Sequence, residues 1–255
     1  MDTVNASHWS YSSINCFLQC PLRFAFRYVE QAPVERTGVC LPFGRAFHAV
    51  LSERAIKGPD FKLKDACEDF AVYFQGEIDA SENLVYKQDE TFDSCLNKGF
   101  DMLGVAIENF QDDYVVKSVA EPFSVTVPGL KKPLVGEFDL IVTDGGDEAV
   151  VDWKTASSRW QNGRAERELQ ATAYCYAYRK LHGVSPIFRY DVYTKTKQPT
   201  VNSIYTIRSD EALSRFEKLC VQVDRCVDAG VFYPNENVMN CSECPYWNRC
   251  QNWKG

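Results

Sequence analysis

Two groups of reactive side chains stand out in this chain, Asp139, Asp152 and Lys154 in its middle and Cys241, Cys244 and Cys250 near its end. In an extended segment residues two apart face the same way, so Asp152 and Lys154 share a face while Trp153 points to the other. The turn signal Asp144-Gly145-Gly146 makes the preceding segment an antiparallel neighbour, which brings Asp139 alongside. Two carboxylates that close repel unless a cation sits between them. Magnesium or manganese meets that need, because hard dications prefer oxygen ligands and retain waters, one of which can attack a phosphorus atom. Lys154 would then stabilise charge on the attacking water or on the phosphate. The plainer reading of an isolated Asp-x-Lys is an ion pair on an edge strand.

The cysteines form a CxxC-x5-C run, and thiolate metal sites usually take four ligands. Cys20, in Phe17-Leu18-Gln19-Cys20-Pro21, could supply the fourth, with Cys16 one helical turn earlier as the alternative. Four thiolates suit zinc and an iron–sulfur cluster equally in ligand number, and spacing does not separate them. Cys40, Cys67, Cys95, Cys175, Cys220 and Cys226 lack ligand spacing and read as core or incidental thiols.

Positioning these groups requires a sheet between helices. The first residues predict two short helices, Ser12 to Leu18 and Pro21 to Tyr28, then a loop over Gln31 to Pro42. Helical spacing returns over Gly44 to Lys57, ending at Gly58-Pro59, and again over Leu63 to Phe74 and Glu90 to Gln111. Near Tyr114 the character changes: Val115 to Val127, Leu134 to Thr143 and Glu148 to Trp153 read as a three-strand meander. Arg164 to Leu181 reads as helix, Ile187 to Thr194 and Val201 to Ile207 as strands, and Asp210 to Ala229 as an amphipathic helix capped by Gly230. This order describes an α/β sandwich around a mixed sheet.

His48 is on the Gly44 to Lys57 helix, and Gln170 and Tyr174, four apart, share a helix face. Singly, these are an ordinary packed histidine and an ordinary helical pair. In order along the chain, Gly44-Arg45-Ala46-Phe47-His48, Gly136-Glu137-Phe138-Asp139, Asp152-Trp153-Lys154 and Gln170 to Tyr174 resemble the RecB-like branch of the PD-(D/E)xK nuclease superfamily. The resemblance implies a restriction-endonuclease-like core in which His48, Asp139, Asp152 and the Trp153 carbonyl bind magnesium or manganese. It further implies that Lys154 assists catalysis and that Gln170 and Tyr174 position DNA or the site. Phe138 stands where the name motif has proline.

The cysteine pattern, Ser10-Tyr11-Ser12 and Arg23 to Tyr28 are similar to RecB-like exonucleases with an iron–sulfur staple, such as CRISPR-associated adaptation nucleases and AddB-type nuclease domains. That likeness implies a structural [4Fe–4S] cluster on Cys20, Cys241, Cys244 and Cys250, pinning the two chain ends together. It implies a deoxyribonuclease acting on single-stranded DNA or DNA ends, free-standing or working with a helicase, recombinase or CRISPR adaptation partner. Two other readings stand beside it: a DNA-binding or assembly subunit that keeps fold and cluster without catalysis, and a zinc-stabilised protein with no DNA role.

The expected organisation is a single domain over 1–255, with an opening segment 1–43 carrying Cys20, a helical region 44–113, a nuclease core 114–208 and a C-terminal helix with the cysteines over 209–255. Nothing from Met1 to Tyr11 resembles a signal peptide, no apolar run spans a bilayer, and no Walker loop is present, so a cytoplasmic protein with no membrane association and no attached helicase is expected. The net charge of −7 opposes a uniformly phosphate-binding surface. Acidic residues crowd Asp60 to Glu121, whereas Arg159, Arg164, Arg167, Arg179, Lys180, Arg189, Lys195 and Lys197 follow the Asp152 strand and predict a basic groove. Trp9, Tyr11, Phe24, Phe26 and Tyr28 are candidates for stacking bases, with core packing the alternative for most.

Overall fold

The computed structural model describes residues 7–255, without the side chain of Asp144; the start of the polar segment read from Met1 lies outside the described residues. A short strand β1 (Trp9–Ser10) leads into α1 (Tyr11–Gln19), capped by Ser10, whose side chain accepts the Ser13 N–H. Pro21 occupies the first position of α2 (Pro21–Phe24), which runs into a π-helical turn over Ala25–Val29. After β2 (Thr37–Gly38), α3 (Cys40–Lys57) begins inside the stretch expected to be loop. Pro42 does not prevent this, because the first-turn N–H groups of a helix have no intrahelical acceptor to lose. Next come α4 (Leu63–Asp79), longer than expected, β3 (Leu84–Val85), which pairs with β2, and α5 (Phe92–Glu108), capped by Thr91.

The meander is present as β4 (Val115–Val125), β5 (Leu134–Asp144) and β6 (Asp147–Ala156). Gly145 and Gly146 turn β5 into β6 with φ of 58° and 100°, left-handed values that a tight hairpin needs and glycine adopts without steric cost. The single helix expected over Arg164 to Leu181 is instead two, α6 (Arg164–Arg167) and α7 (Leu169–His182), broken at Glu168 with ψ of 117°. Buried Arg208 explains the break: its Nη2 donates to the carbonyls of Ala165 (2.7 Å) and Glu168 (3.1 Å), and its Nε to Thr172 Oγ1 (2.8 Å). The chain closes with β7 (Ile187–Thr194), β8 (Val201–Thr206), α8 (Asp210–Asp228), α9 (Val238–Cys241) and α10 (Trp247–Gln251). No described helix is long and apolar enough to cross a membrane.

The main sheet is mixed and ordered β1-β5-β6-β7-β8, with β4 on the other edge of β5. One face carries Phe138, Ile141, Val150, Phe188, Tyr190 and Val192 against α1, α7 and α8. The opposite face carries Leu140, Val142, Ala149, Val151, Trp153 and Tyr193 against α3, α4 and α5. The result is a mixed sheet between two helical layers, and the helical region is one of those layers.

Candidate active site

The sheet forks where the site lies. β4 pairs with β5 from Leu134 to Thr143, so β1 and β6 must share the remaining edge of β5. There β1 pairs only with Leu134 and Val135, and β6 only from Leu140 to Asp144. Past the Leu140 and Val151 pair, β6 leaves β5 and stays with β7 as far as Ala156. Asp139 and Asp152 are the next residues on the two diverging strands. Opposite Asp139 in the β4 register is Ala120, a non-glycine residue with φ of 48°, a conformation an L side chain adopts at a cost. Across this kink the face pattern of β5 changes phase, with Phe138 and Ile141 facing one layer and Leu140 and Val142 the other.

A fork lets both helical layers reach one point. From α3, His48 Nδ1 lies 3.3 Å from Asp139 Oδ2, its ring edge-on to the Trp153 indole. The Trp153 N–H donates to the same oxygen at 2.9 Å, so this residue, expected to act through its carbonyl, holds Asp139 with its amide and fills the core with its ring. From α7, Gln170 Nε2 donates to Asp152 Oδ1 at 2.7 Å. Lys154 Nζ lies 2.6 Å from Asp152 Oδ2. The structure therefore brings His48, Asp139, Asp152, Lys154 and Gln170 together. Tyr174, one turn beyond Gln170, packs between Phe123, Phe138 and Phe188.

The two carboxyls are held differently. Burial pushes Asp139 up, but the His48 contact, the charges of His48 and Lys154 and the Trp153 N–H together hold it below the usual carboxylate range. Asp152 is only 4% exposed. Burial drives it up to about 6, the charge of Asp139 adding to the rise and Lys154 opposing it. Asp152 Oδ2 is buried, with the Lys154 ammonium 2.6 Å away as its charged partner. Two adjacent carboxylates, one driven up by burial and by the charge of the other, fit a hard divalent cation. Among the described residues no three His, Cys, Asp or Glu side chains are drawn up as a ready metal-binding group.

Gly136 and Phe138 gain a physical role. A Cβ on Gly136 would stand 2.4 Å from the ring of Phe123, its cross-strand partner. Phe123 stacks on Phe138 with centroids 4.6 Å apart, and both rings back Tyr174. Phenylalanine before Asp139 thus ties β5 to α7 through apolar contact. Two neighbours escaped the sequence reading as site residues. Burial, with the charges of Glu168 and Asp152, raises Tyr11 to about 12, which places its hydroxyl near both acids. Tyr190 fixes the start of α7 by accepting the Ala171 N–H at 3.1 Å. Tyr11 carries two sequence signals, the Ser10-Tyr11-Ser12 segment and its place among the aromatics considered for base stacking, neither of which puts it beside the acids; Tyr190 carries none.

Of the aromatics considered for base stacking, Trp9, Phe24 and Phe26 are buried core residues, and Phe24 stacks between Trp9 and Phe232. Tyr11 and Tyr28 are half-buried. The expected basic groove is not continuous. Arg189 is buried in an ion pair with Asp191, Arg179 pairs with Asp210, and the Lys195 ammonium lies over Phe43. Arg159, Arg164 and Arg167 remain together around one cleft.

The cysteines gather where the chain ends meet. The Leu22 N–H donates to the Tyr233 carbonyl at 3.0 Å, the Asn235 N–H to Cys20 Sγ at 3.5 Å, and Asn240 Nδ2 to the Gln19 carbonyl at 2.7 Å. Cys20, Cys244 and Cys250 pack on Leu22, Phe26, Ala32 and Tyr246. Burial raises the Cys250 thiol, with Cys20, Cys244 and Cys241 adding to the rise; burial also raises Cys244, with Cys20 and Cys241 contributing. The four thiols are therefore electrostatic neighbours. Cys16, the alternative to Cys20, belongs to the main core.

A model of the PD-(D/E)XK nuclease superfamily matches residues 8–251. A crystal structure from Eubacterium rectale, provisionally named an exonuclease, superimposes with a TM-score of 0.61 at 13% identity, covering 98% of this chain and 89% of that one, which speaks to fold alone. A second structure, SSO0001, has a TM-score of 0.40 at 12% identity over 87% of this chain and 88% of that one, too low to carry an argument. No curated protein matches. With a family match running over nearly its whole length and two carboxylates and a lysine converging where its sheet forks, the chain belongs to the PD-(D/E)XK nuclease superfamily.

Proposed function

We propose that this chain is a RecB-like, magnesium- or manganese-dependent deoxyribonuclease that works from DNA ends or on single strands. The observation that carries the reading is the convergence of Asp139, Asp152 and Lys154 at the fork, with Asp152 buried beside a second carboxylate. Asp139, Asp152, His48 and the Trp153 carbonyl would hold the cation, whose chemistry is to acidify a water and polarise a phosphate oxygen. Lys154, with its flexible stem and compact charge, then faces the phosphate and offsets the negative charge that grows during in-line attack. Gln170 orients Asp152 by its hydrogen bond, and Tyr174 fixes the helix that carries Gln170. Exonuclease action is consistent with the name of the Eubacterium rectale neighbour, which describes that protein.

Cys20, Cys241, Cys244 and Cys250 would hold a [4Fe–4S] cluster with a structural role, closing one nuclease domain over its opening segment, helical layer, core and C-terminal helix. The neighbouring thiols and the hydrogen bonds joining the chain ends support that placement. The test is an anaerobic preparation assayed for iron and zinc, then for cleavage of end-labelled single- and double-stranded DNA with magnesium or manganese, beside Lys154→Ala. Cleavage by wild type and none by the variant supports the nuclease. Equal DNA binding by both without cleavage would instead make the chain a binding subunit.

A further inference from the structure

The segment joining β6 to α7 encloses a cleft of about 390 Å³ lined by Ser158, Arg159, Asn162, Arg164, Arg167 and Glu168, among others. Three guanidinium groups face one carboxylate there, on a chain whose net charge is −7. Glu168 accepts from Arg164 Nε at 2.8 Å and so engages one of the three. Among the described residues Arg159 has only a neutral partner, Asn202 Oδ1 at 3.1 Å. Arg167 makes no ion pair or hydrogen bond among the described residues. Its Nη2 would lie 2.8 Å from a Cβ on Gly163, so the guanidinium rests close against that residue, whose φ of 76° favours glycine.

The cleft is tied to the candidate active site. The Arg164 guanidinium lies 4.1 Å over the Trp160 ring, and Trp160, buried, packs on Tyr190 with centroids 4.9 Å apart. The Tyr190 hydroxyl holds the Ala171 N–H beside Gln170, which holds Asp152. A group seated among these arginines is therefore held in fixed register with Asp152. The neighbouring Tyr11 hydroxyl lies within range of both Glu168 and Asp152.

We propose that this cleft is a phosphate-binding subsite: Arg159 and Arg167, with Arg164 as the stacked wall, take a phosphate of the DNA strand near the scissile one and set which bond reaches Asp152 and Lys154. Planar, forked guanidinium donors match phosphate oxygens, and two of the three are not neutralised. The proposal rests on the nuclease reading for its ligand, yet binding can be measured apart from cleavage.

The test compares Arg159→Gln/Arg167→Gln with wild type and with Lys218→Gln, an exposed charge on α8 away from the cleft. Fluorescence anisotropy with a labelled single-stranded oligonucleotide, without divalent metal, reads affinity against salt. The double variant should bind about tenfold more weakly per arginine lost, the lower range for a charged hydrogen bond. Its log–log salt slope should fall by about 0.7 per contact, or roughly 1.4. In cleavage assays KM should rise more than kcat falls, and the cut positions should spread. Oligonucleotides with 5′-phosphate and 5′-hydroxyl ends separate the sources: a defect in the variant confined to the phosphorylated end assigns a terminal phosphate, and an equal defect on both assigns an internal one. Affinity and salt slope matching those of Lys218→Gln would overturn the proposal. A wild type that binds with the predicted arginine dependence but does not cut would sink the nuclease reading and leave the subsite standing.

Discussion

Asp152→Asn should raise the stability of the metal-free protein near neutral pH and flatten its pH dependence. In the folded chain Asp152 is raised from its ordinary 3.8 to about 6, chiefly by burial. At roughly 1.4 kcal/mol for each tenfold change in proton affinity, that rise is a cost of about 3 kcal/mol for the ionised form. The sign follows from proton binding. The folded state holds this proton more tightly than the unfolded state, so the contribution is fully present below about pH 4 and lost as pH rises through about 6. Urea denaturation in EDTA from about pH 4 to pH 8 reads it: the wild type should lose about 3 kcal/mol relative to Asp152→Asn over that window. Asp139, held low, contributes in the opposite sense, but it is present in both proteins and largely drops out of the difference. Lys154 loses its partner in the variant, yet that deficit appears at high pH and works against the predicted gain. Parallel stability curves for the two proteins would refute the claim that Asp152 is an ionisable group strained by burial. Adding magnesium at a hundredfold its dissociation constant should restore about 2.7 kcal/mol to the wild type and nothing comparable to the variant.

Ala120→Gly should stabilise the protein by about 1 kcal/mol in urea, reversing the usual loss for glycine in a strand, because it relieves a left-handed alanine opposite Asp139. Gly136→Ala should cost about 1–3 kcal/mol and reduce cleavage, since its Cβ would displace Phe123 from under Phe138 and Tyr174; an unchanged melting curve would show that the strand yields instead. Arg208→Met should cost about 3 kcal/mol by leaving the Ala165 and Glu168 carbonyls without a buried donor, and amide exchange should rise first in α6 and α7. Cys244→Ser should abolish retention of about four irons per chain in anaerobic preparations and lower the thermal midpoint; zinc in the wild type at one per chain would remove the iron–sulfur assignment.

Local spacing along the chain was enough to order the long helices and strands and to single out the carboxylate and lysine candidates. Strand alternation put Asp152 and Lys154 on one face, two glycines forced the β5–β6 turn, and helical spacing aligned Gln170 with Tyr174, because each depends on backbone geometry within a few residues. The same local rules could not locate the fork. That β6 leaves β5 after Val151, that Ala120 is inverted opposite Asp139, and that His48 and Gln170 arrive from opposite helical layers are consequences of pairings between distant segments. Nor could they break the expected helix at Glu168, since the donor responsible, Arg208, is forty residues away in sequence and acts only once the end of β8 packs beside α6. Charge misled for the same reason: eight basic residues after Lys154 read as one groove, but burial and ion pairing withdrew Arg179, Arg189 and Lys195, Lys180 lies over Tyr176, Lys197 stands apart, and three arginines are left around a cleft. Composition fixes how much charge a chain carries, whereas tertiary packing decides which charges remain free to meet a phosphate.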